Sequence, residues 1–339
     1  MISRKSRRRN NFPAADIDDQ FMKDLLPTLR RWQEANKAFA IARVVSTWGS
    51  APRRPGAWMA ISSDGDIVGS VSGGCVEGAV RKEALNILGD APSRIVDFGI
   101  DNESAWSVGL SCGGRLDVII QPFPEDIGND LLGAIDQGQA VTWITKIDGG
   151  LTKNELHVAA SRVLAPMAHE INGKHHTVTQ HIPRPATLLI VGGADIAVHL
   201  VQMADQVGFE TILIDPRAVF THVDRFPVQP TQLHTKWPQE VLPELALDAS
   251  TFAVLLTHDP KIDDPAIALL FEAKVPYIGA LGGQKTQAQR RIRLAEQGHS
   301  QEYISRIKGP VGLKINAATP AEIAVSILAE VIQVRNDQG

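Results

Sequence analysis

The sequence predicts an α/β protein of two domains: an N-terminal mixed α/β domain, followed by a C-terminal domain built on a doubly wound parallel sheet. Three observations carry this reading. The chain has 339 residues, enough for two separate hydrophobic cores. From residue 186 onward, short apolar runs rich in β-branched residues alternate regularly with helical stretches, the mark of parallel strands joined by crossover helices. Between them lies "HIPRP" (181–185), whose two prolines mark a linker. The expected organisation is a domain over 17–180, a linker over 181–185 and a second domain over 186–339.

Composition sets the class. Hydrophobic residues make up 44% and charged residues 21%, ordinary for a soluble globular chain. A net charge of -4 gives no basis for nucleic-acid binding. Two cysteines are too few for a disulfide scaffold, so a reducing cytoplasm is the expected compartment. The head "MISRKSRRRNNF" is basic, and Arg7-Arg8 faintly resembles an export signal. "PAADIDDQFMKDLL" then brings four acids and no apolar core, so residues 1–16 are expected to be a disordered basic tail. No stretch approaches the length of a transmembrane helix, so no membrane partner is expected.

The elements follow in order. Residues 17–38 read as an amphipathic helix with Leu25, Leu29 and Trp32 on one face, and Pro27 should kink or restart it. "FAIARVVSTW" reads as a buried strand. "AWMAIS" and "DIVGSV" form a hairpin through the Asp64-Gly65 turn. "CVEGAVRKEALNIL" is a helix ending at Gly89, and "SRIVDFG" and "GRLDVIIQPF" are further strands in a mixed sheet. Residues 125–181 hold a helix and hairpin-like strands, with a polar segment at "INGKHHTVTQH". In the second domain "ATLLIVGG", "FETILID", "TFAVLLTHD" and "VPYIGALGG" are strands separated by helices. The last helix starts with Thr319 as N-cap, Pro320 at the first position and Glu322 completing a capping box.

The second domain is therefore Rossmann-like, but its phosphate loop is altered. The dinucleotide pattern G-x-G-x-x-G/A falls on Gly192, Ala194 and Ala197. Ala194 puts a methyl group where backbone should approach pyrophosphate, and Asp195 puts a negative charge at the helix start. Asp215 stands where a ribose-binding acid belongs; its plainer reading is a turn residue before Pro216. A retained scaffold is favoured over NAD(P) binding. Two other strand ends carry polar residues. His258, Asp259, Asp263 and Asp264 suit a polar ligand or a divalent metal, or else a solvated loop with Asp263 capping the next helix. Gly279, Gly282 and Gly283 precede Lys285, Arg290 and Arg291, which suit an anion or else a tight turn and a solvated basic face.

The sharpest signal lies in the first domain. Gly73-Gly74-Cys75 falls between a strand and a helix, where helix-start N–H groups favour thiolate character at Cys75 and the glycines admit close approach of a large ligand. Glu77 in the first turn should partly oppose that effect, and Arg53 and Arg54 would compensate if their loop folds over the site. Cys112 is likewise followed by Gly113-Gly114 and a strand. The pair suits a soft ligand such as a metal or a sulfur-bearing cofactor; a redox disulfide and two small core residues are the rival readings. The spacing excludes the usual closed zinc site.

"GSAPRRPGAWMAISSDGDIVGSVSGGCVEGAV", "LSCGGRLDVIIQPF", "LLTHDPKID" and "GPVGLKINAATPAEIAVSILAEVI" resemble the XdhC/CoxF family of xanthine dehydrogenase accessory proteins, from about residue 20 to 335. The resemblance implies a maturation factor rather than a metabolic enzyme. Such a factor binds molybdenum cofactor, as molybdopterin or its dinucleotide form, and assists its sulfuration with a cysteine desulfurase. It then delivers the cofactor to an apo molybdenum hydroxylase of the xanthine dehydrogenase type. A large two-domain factor of this kind could also form a homo-oligomer. The family loop usually reads G-A-G-H where this chain has Gly192-Gly193-Ala194-Asp195. The resemblance therefore places the cofactor site mainly on Arg53, Gly73, Gly74, Cys75, Cys112, Gly113 and Gly114, with Cys75 the expected molybdenum contact. Gly192, Asp215, His258, Asp259 and Asp263 form a secondary candidate set. The alternative is an NAD(P)-binding oxidoreductase using the second domain.

Overall fold

The computed structural model describes residues 19–49, 53–99, 114–159 and 167–337. The basic tail expected over 1–16, and Cys112 and Gly113, lie outside the described residues. The chain divides into two compact units, one spanning Met1–Arg184 and the other Pro185–Gln338.

In the first unit, α1 (Asp19–Glu34) is a single helix with Pro27 inside it. Its predicted apolar face, Leu25, Leu29 and Trp32, is buried. The strands β1 (Phe39–Trp48), β2 (Trp58–Ser62) and β3 (Ile67–Gly69) come next, then α2 (Glu77–Leu88), β4 (Arg94–Phe98) and β5 (Arg115–Pro122). The strands form one sheet in the order β3-β2-β1-β5-β4. Every pairing in it is antiparallel, which corrects the mixed sheet expected from the sequence. The reason is the path of α2. It joins the β3 edge to the β4 edge, so the two strands that its crossover makes parallel are not neighbours. The hairpin at Asp64-Gly65 is present, with Gly65 at φ +83° and Lys37 bridging Asp64 and Asp66.

One face of this sheet packs Ala42, Val44, Val118 and Ile120 against Val80, Ala84 and Ile87 of α2. The other face presents Ile41, Trp58 and Ala60 to α1 and to the elements that follow. These are α3 (Gly128–Asp136), β6 (Ala140–Asp148), β7 (Leu151–Ala159), β8 (Met167–Asn172) and β9 (His175–Ile182). Their strands make a second antiparallel sheet, β7-β6-β9-β8. His181 and Ile182 pair with Thr142 and Val141, so the first residues expected in the linker finish β9 instead. Arg43 of β1 is fully buried in this unit. It donates to Gln180, Gln121 and Thr145 and lies 3.6 Å from the centre of the Trp143 ring.

The second unit begins with β10 (Thr187–Val191), α4 (Asp195–Gln206) and β11 (Glu210–Ile214). It continues with β12 (Gln232–His234), α5 (Pro238–Val241), β13 (Thr251–Leu255), α6 (Pro260–Glu272), β14 (Tyr277–Ala280) and α7 (Gln284–Glu296). It closes with α8 (Gln301–Ser305), β15 (Ile307–Lys308) and α9 (Pro320–Asp337). The six strands are all parallel, in the order β12-β11-β10-β13-β14-β15. That order reverses direction between β10 and β13, the switch point of a doubly wound sheet. Separate apolar clusters cover the two faces, one including α4 and α9 and the other α6. The capping box of α9 forms as predicted: Glu322 accepts from the Thr319 amide, and Thr319 accepts from the Glu322 amide. Among the described residues, no helix is long and apolar enough to cross a membrane.

Candidate functional site

Strand register brings the strand ends that flank the described first-domain candidates to one end of the five-stranded sheet. Trp58 opens β2 opposite Arg43, Gly69 closes β3 opposite Met59, and Arg115 opens β5 opposite Trp48. The segment carrying Arg53 and Arg54 leads into β2, and the Ser70–Val76 loop leaves β3. Arg53 is half-buried and Arg54 exposed. Gly114, which follows Cys112 and Gly113, is buried at the start of β5.

The helix expected to begin at Cys75 begins at Glu77, with Val76 as its N-cap. The loop before it is organised by the Glu77 carboxylate, which folds back over its own N-terminus. Oε1 accepts from the Ser70 hydroxyl at 2.6 Å and the Ser72 amide at 2.9 Å. Oε2 accepts from the Ser72 hydroxyl at 2.6 Å, the Gly74 amide at 2.9 Å and the Val76 amide at 3.2 Å. The Gly73 amide donates to Ser70 Oγ, and the Cys75 and Val76 amides donate to Ser72 Oγ. Burial alone would raise the Glu77 carboxyl; these hydrogen bonds outweigh it and hold the group down at about 2. Glu77 is thus the organiser of the loop. Sequence reasoning did not assign Ser70, Ser72 and Glu77 this role, because their spacing matches no capping box.

The glycines leave room rather than donors. Gly73 and Gly74 are exposed and sit at φ +80° and +120°, a region L side chains rarely adopt. A Cβ added at Gly74 would meet nothing within 4 Å. Half-buried Cys75 follows, against the apolar cluster under α2. A bare backbone surface beside a sulfur atom fits a large, flat, soft ligand.

In the second unit, several of the candidates at the strand ends make structural contacts. Gly192 is at φ +110°, and a Cβ there would lie 2.7 Å from Thr257 Cγ2. At Gly193 a Cβ would lie 2.4 Å from the Phe220 carbonyl oxygen, so these glycines are required by the chain's own packing. Asp215 is completely buried. It accepts from the Gly193 amide at 2.9 Å and from Arg217 Nε and Nη2 at 2.9 and 2.7 Å. Burial opposes its ionisation, but the hydrogen bonds from Arg217 and Gly193 prevail and lower its carboxyl. Asp215 therefore anchors a turn, as in its plainer reading from the sequence. Arg217 lies 4.3 Å from the centre of the Phe220 ring, and Arg225 reaches Asp195 at 3.1 Å.

The divalent-metal reading of the β13 end is corrected in the same way. Asp259, not Asp263, caps α6, by accepting from the Lys261 amide at 2.9 Å. Asp263 is buried, accepting from Thr257 Oγ1 at 2.5 Å and Arg290 Nη2 at 2.9 Å. Asp264 pairs with Arg293 at 2.7 Å. Among the described residues, no group of three or more His, Cys, Asp or Glu can hold a metal ion. His258 is exposed at φ +61°. Arg290, expected on a solvated or anion-binding helix start, is buried in the ion pair, while Lys285 and Arg291 are exposed.

The family model described as the XdhC and CoxI family matches residues 32–99, which include the Cys75 loop. The model described as the XdhC Rossmann domain matches residues 188–331. The chain is also 31% identical over 324 residues to a probable xanthine dehydrogenase subunit of Bacillus subtilis (strain 168), covering 89% of this chain and 94% of that one. The chain belongs to the XdhC and CoxI family. A second relative is the molybdenum cofactor insertion chaperone PaoD of Escherichia coli (strain K12), 28% identical over 305 residues, with 90% of this chain and 86% of PaoD covered. A crystal structure described as a xanthine dehydrogenase from Bacillus halodurans matches with a TM-score of 0.74 and 24% identity, over 95% of this chain and 97% of that one. That last likeness shows the fold, over nearly the whole length of both chains.

Proposed function

We propose that this protein is an accessory factor for molybdenum hydroxylases that carries molybdenum cofactor on its Cys75 loop. It passes the cofactor to an apo-enzyme of the xanthine dehydrogenase type. The observation that carries the proposal is the Gly73-Gly74-Cys75 surface, where open backbone adjoins a sulfur atom. Family membership supports it, as do the names of two relatives, one a cofactor insertion chaperone and the other part of a xanthine dehydrogenase.

The cofactor supplies a dithiolene-held molybdenum bearing an exchangeable oxo or sulfido ligand, which is anionic and soft. Cys75 contributes a soft donor toward such a centre, and Gly73 and Gly74 leave the face of the loop clear of side chains. Arg53, half-buried ahead of β2, and Gly114, buried at the start of β5, are assigned to the same site, and the family resemblance adds Cys112 and Gly113. Sulfuration with a cysteine desulfurase, in the cytoplasm, completes the proposal. The competing nicotinamide reading rests on the Rossmann-like domain and on Asp215, whose carboxylate is buried against Arg217.

The test is delivery. The protein is purified from a cofactor-producing host and mixed with a cofactor-free hydroxylase of this type. Transfer of molybdenum to the hydroxylase, with gain of activity, supports the proposal. A hydroxylase that stays inactive while accepting cofactor from another source sinks it.

A further inference from the structure

An amide cradle ahead of a helix ordinarily takes a phosphate, because its N–H groups and the helix dipole both favour negative charge. Here the cradle ahead of α2 already holds an anion that belongs to the chain. The Glu77 carboxylate accepts from the Ser72, Gly74 and Val76 amides and from the Ser70 and Ser72 hydroxyls. The intervening Gly73 and Cys75 amides are held by Ser70 Oγ and Ser72 Oγ. Five consecutive amides, Ser72 to Val76, therefore have internal acceptors. A second anion in this cradle would sit against an ionised carboxylate, which like-charge repulsion disfavours.

We propose that Glu77 is the positioning residue of the Cys75 loop. Its carboxylate fills the amide cradle as an internal anion, so an incoming cofactor meets this loop through sulfur and bare glycine backbone, not by seating its phosphate on the amides. The identity of that ligand rests on the proposed function; the role of Glu77 rests on the geometry of the chain itself. Cys75 is held through its own amide by Ser72, and through both neighbours, Gly74 and Val76, by Glu77. Ser72 is fully buried, which fixes the inner end of the clamp.

The test uses reduced, cofactor-free full-length protein. Alkylation of Cys75 by iodoacetamide is followed by peptide mass, which separates it from Cys112. Amide hydrogen exchange is followed over residues 72–76. In Glu77→Gln and Glu77→Ala the loop opens, and Cys75 alkylation rises roughly fivefold or more as local protection falls. Added acetate refills the cradle of Glu77→Ala and slows alkylation again, a rescue that general destabilisation would not show. Inorganic phosphate does the same to Glu77→Ala and leaves the wild type unchanged. If the Glu77 variants do not fold, Ser70→Ala removes one clamp contact and gives a smaller increase. Alkylation within twofold of wild type in folded variants, no acetate rescue, or phosphate protection of wild-type Cys75 overturns the proposal. Cofactor content of the wild type is measured separately. Its absence sinks the proposed function and leaves the alkylation result standing.

Discussion

Removing Arg290 tests the structural reading of the β13 end. Arg290 and Asp263 are each 2% exposed and 2.9 Å apart, with Arg290 also donating to Gln287 at 2.7 Å. Arg290→Met keeps much of the side-chain volume and leaves the Asp263 carboxylate buried with Thr257 as its remaining partner. Stranding a buried charge costs about 3–5 kcal/mol. For a unit of this size each kcal/mol moves the midpoint by about 2–4 °C, so the second unit should melt roughly 6–20 °C lower. The double variant Arg290→Met/Asp263→Leu removes both charges and should recover most of that loss, because a buried pair replaced by apolar groups is often neutral or better. Calorimetry of the intact chain, together with the fluorescence of Trp237, the sole tryptophan of the second unit, reads the effect. A single variant within about 1 kcal/mol of wild type, or a double variant as unstable as the single one, refutes the reasoning.

Two further outcomes follow from the same geometry. Gly193→Ala places a Cβ 2.4 Å from the Phe220 carbonyl and should cost about 1–3 kcal/mol by overpacking; a neutral change in denaturant midpoint would show that the glycine is not required by packing. Glu77 has its carboxyl lowered from 4.5 to about 2, so its stabilisation is fully present above pH 4.5 and is lost as pH falls through about 2. Urea unfolding between pH 6 and 2 should show an acid-dependent loss that is smaller in Glu77→Gln than in wild type. Superimposable profiles would show that the carboxylate contributes nothing to stability.

Much of the fold is legible in the sequence where elements are long and apolar. The four central parallel strands read directly, because each is a run of buried residues bounded by turn residues. The β12 and β15 strands escape, being three and two residues long, with polar side chains such as Gln232 and Lys308. The sheet of β6 to β9 reads only as hairpins, since nothing local says that β6 and β9 will pair across residues 149–174. The site divides along the same line. The exposed Gly-Gly beside Cys75 is a local signal. The grip of Glu77 on that loop depends on a side chain folding back on its own helix start. The fate of Asp263 depends on Arg290, 27 residues away. The partner of Asp215 is likewise not in the pattern: the position matches a ribose-binding acid, and the structure adds Arg217 against its carboxylate.

Cofactor carriage at Cys75 is tested most directly by bound molybdenum and oxidised-pterin fluorescence in wild type and Cys75→Ala, each purified from a cofactor-producing host. Near-equal molybdenum and pterin in the wild type, lost in the variant with its melting temperature retained, is the expected result. Equal loading of the two proteins, or no loading of either, would contradict it.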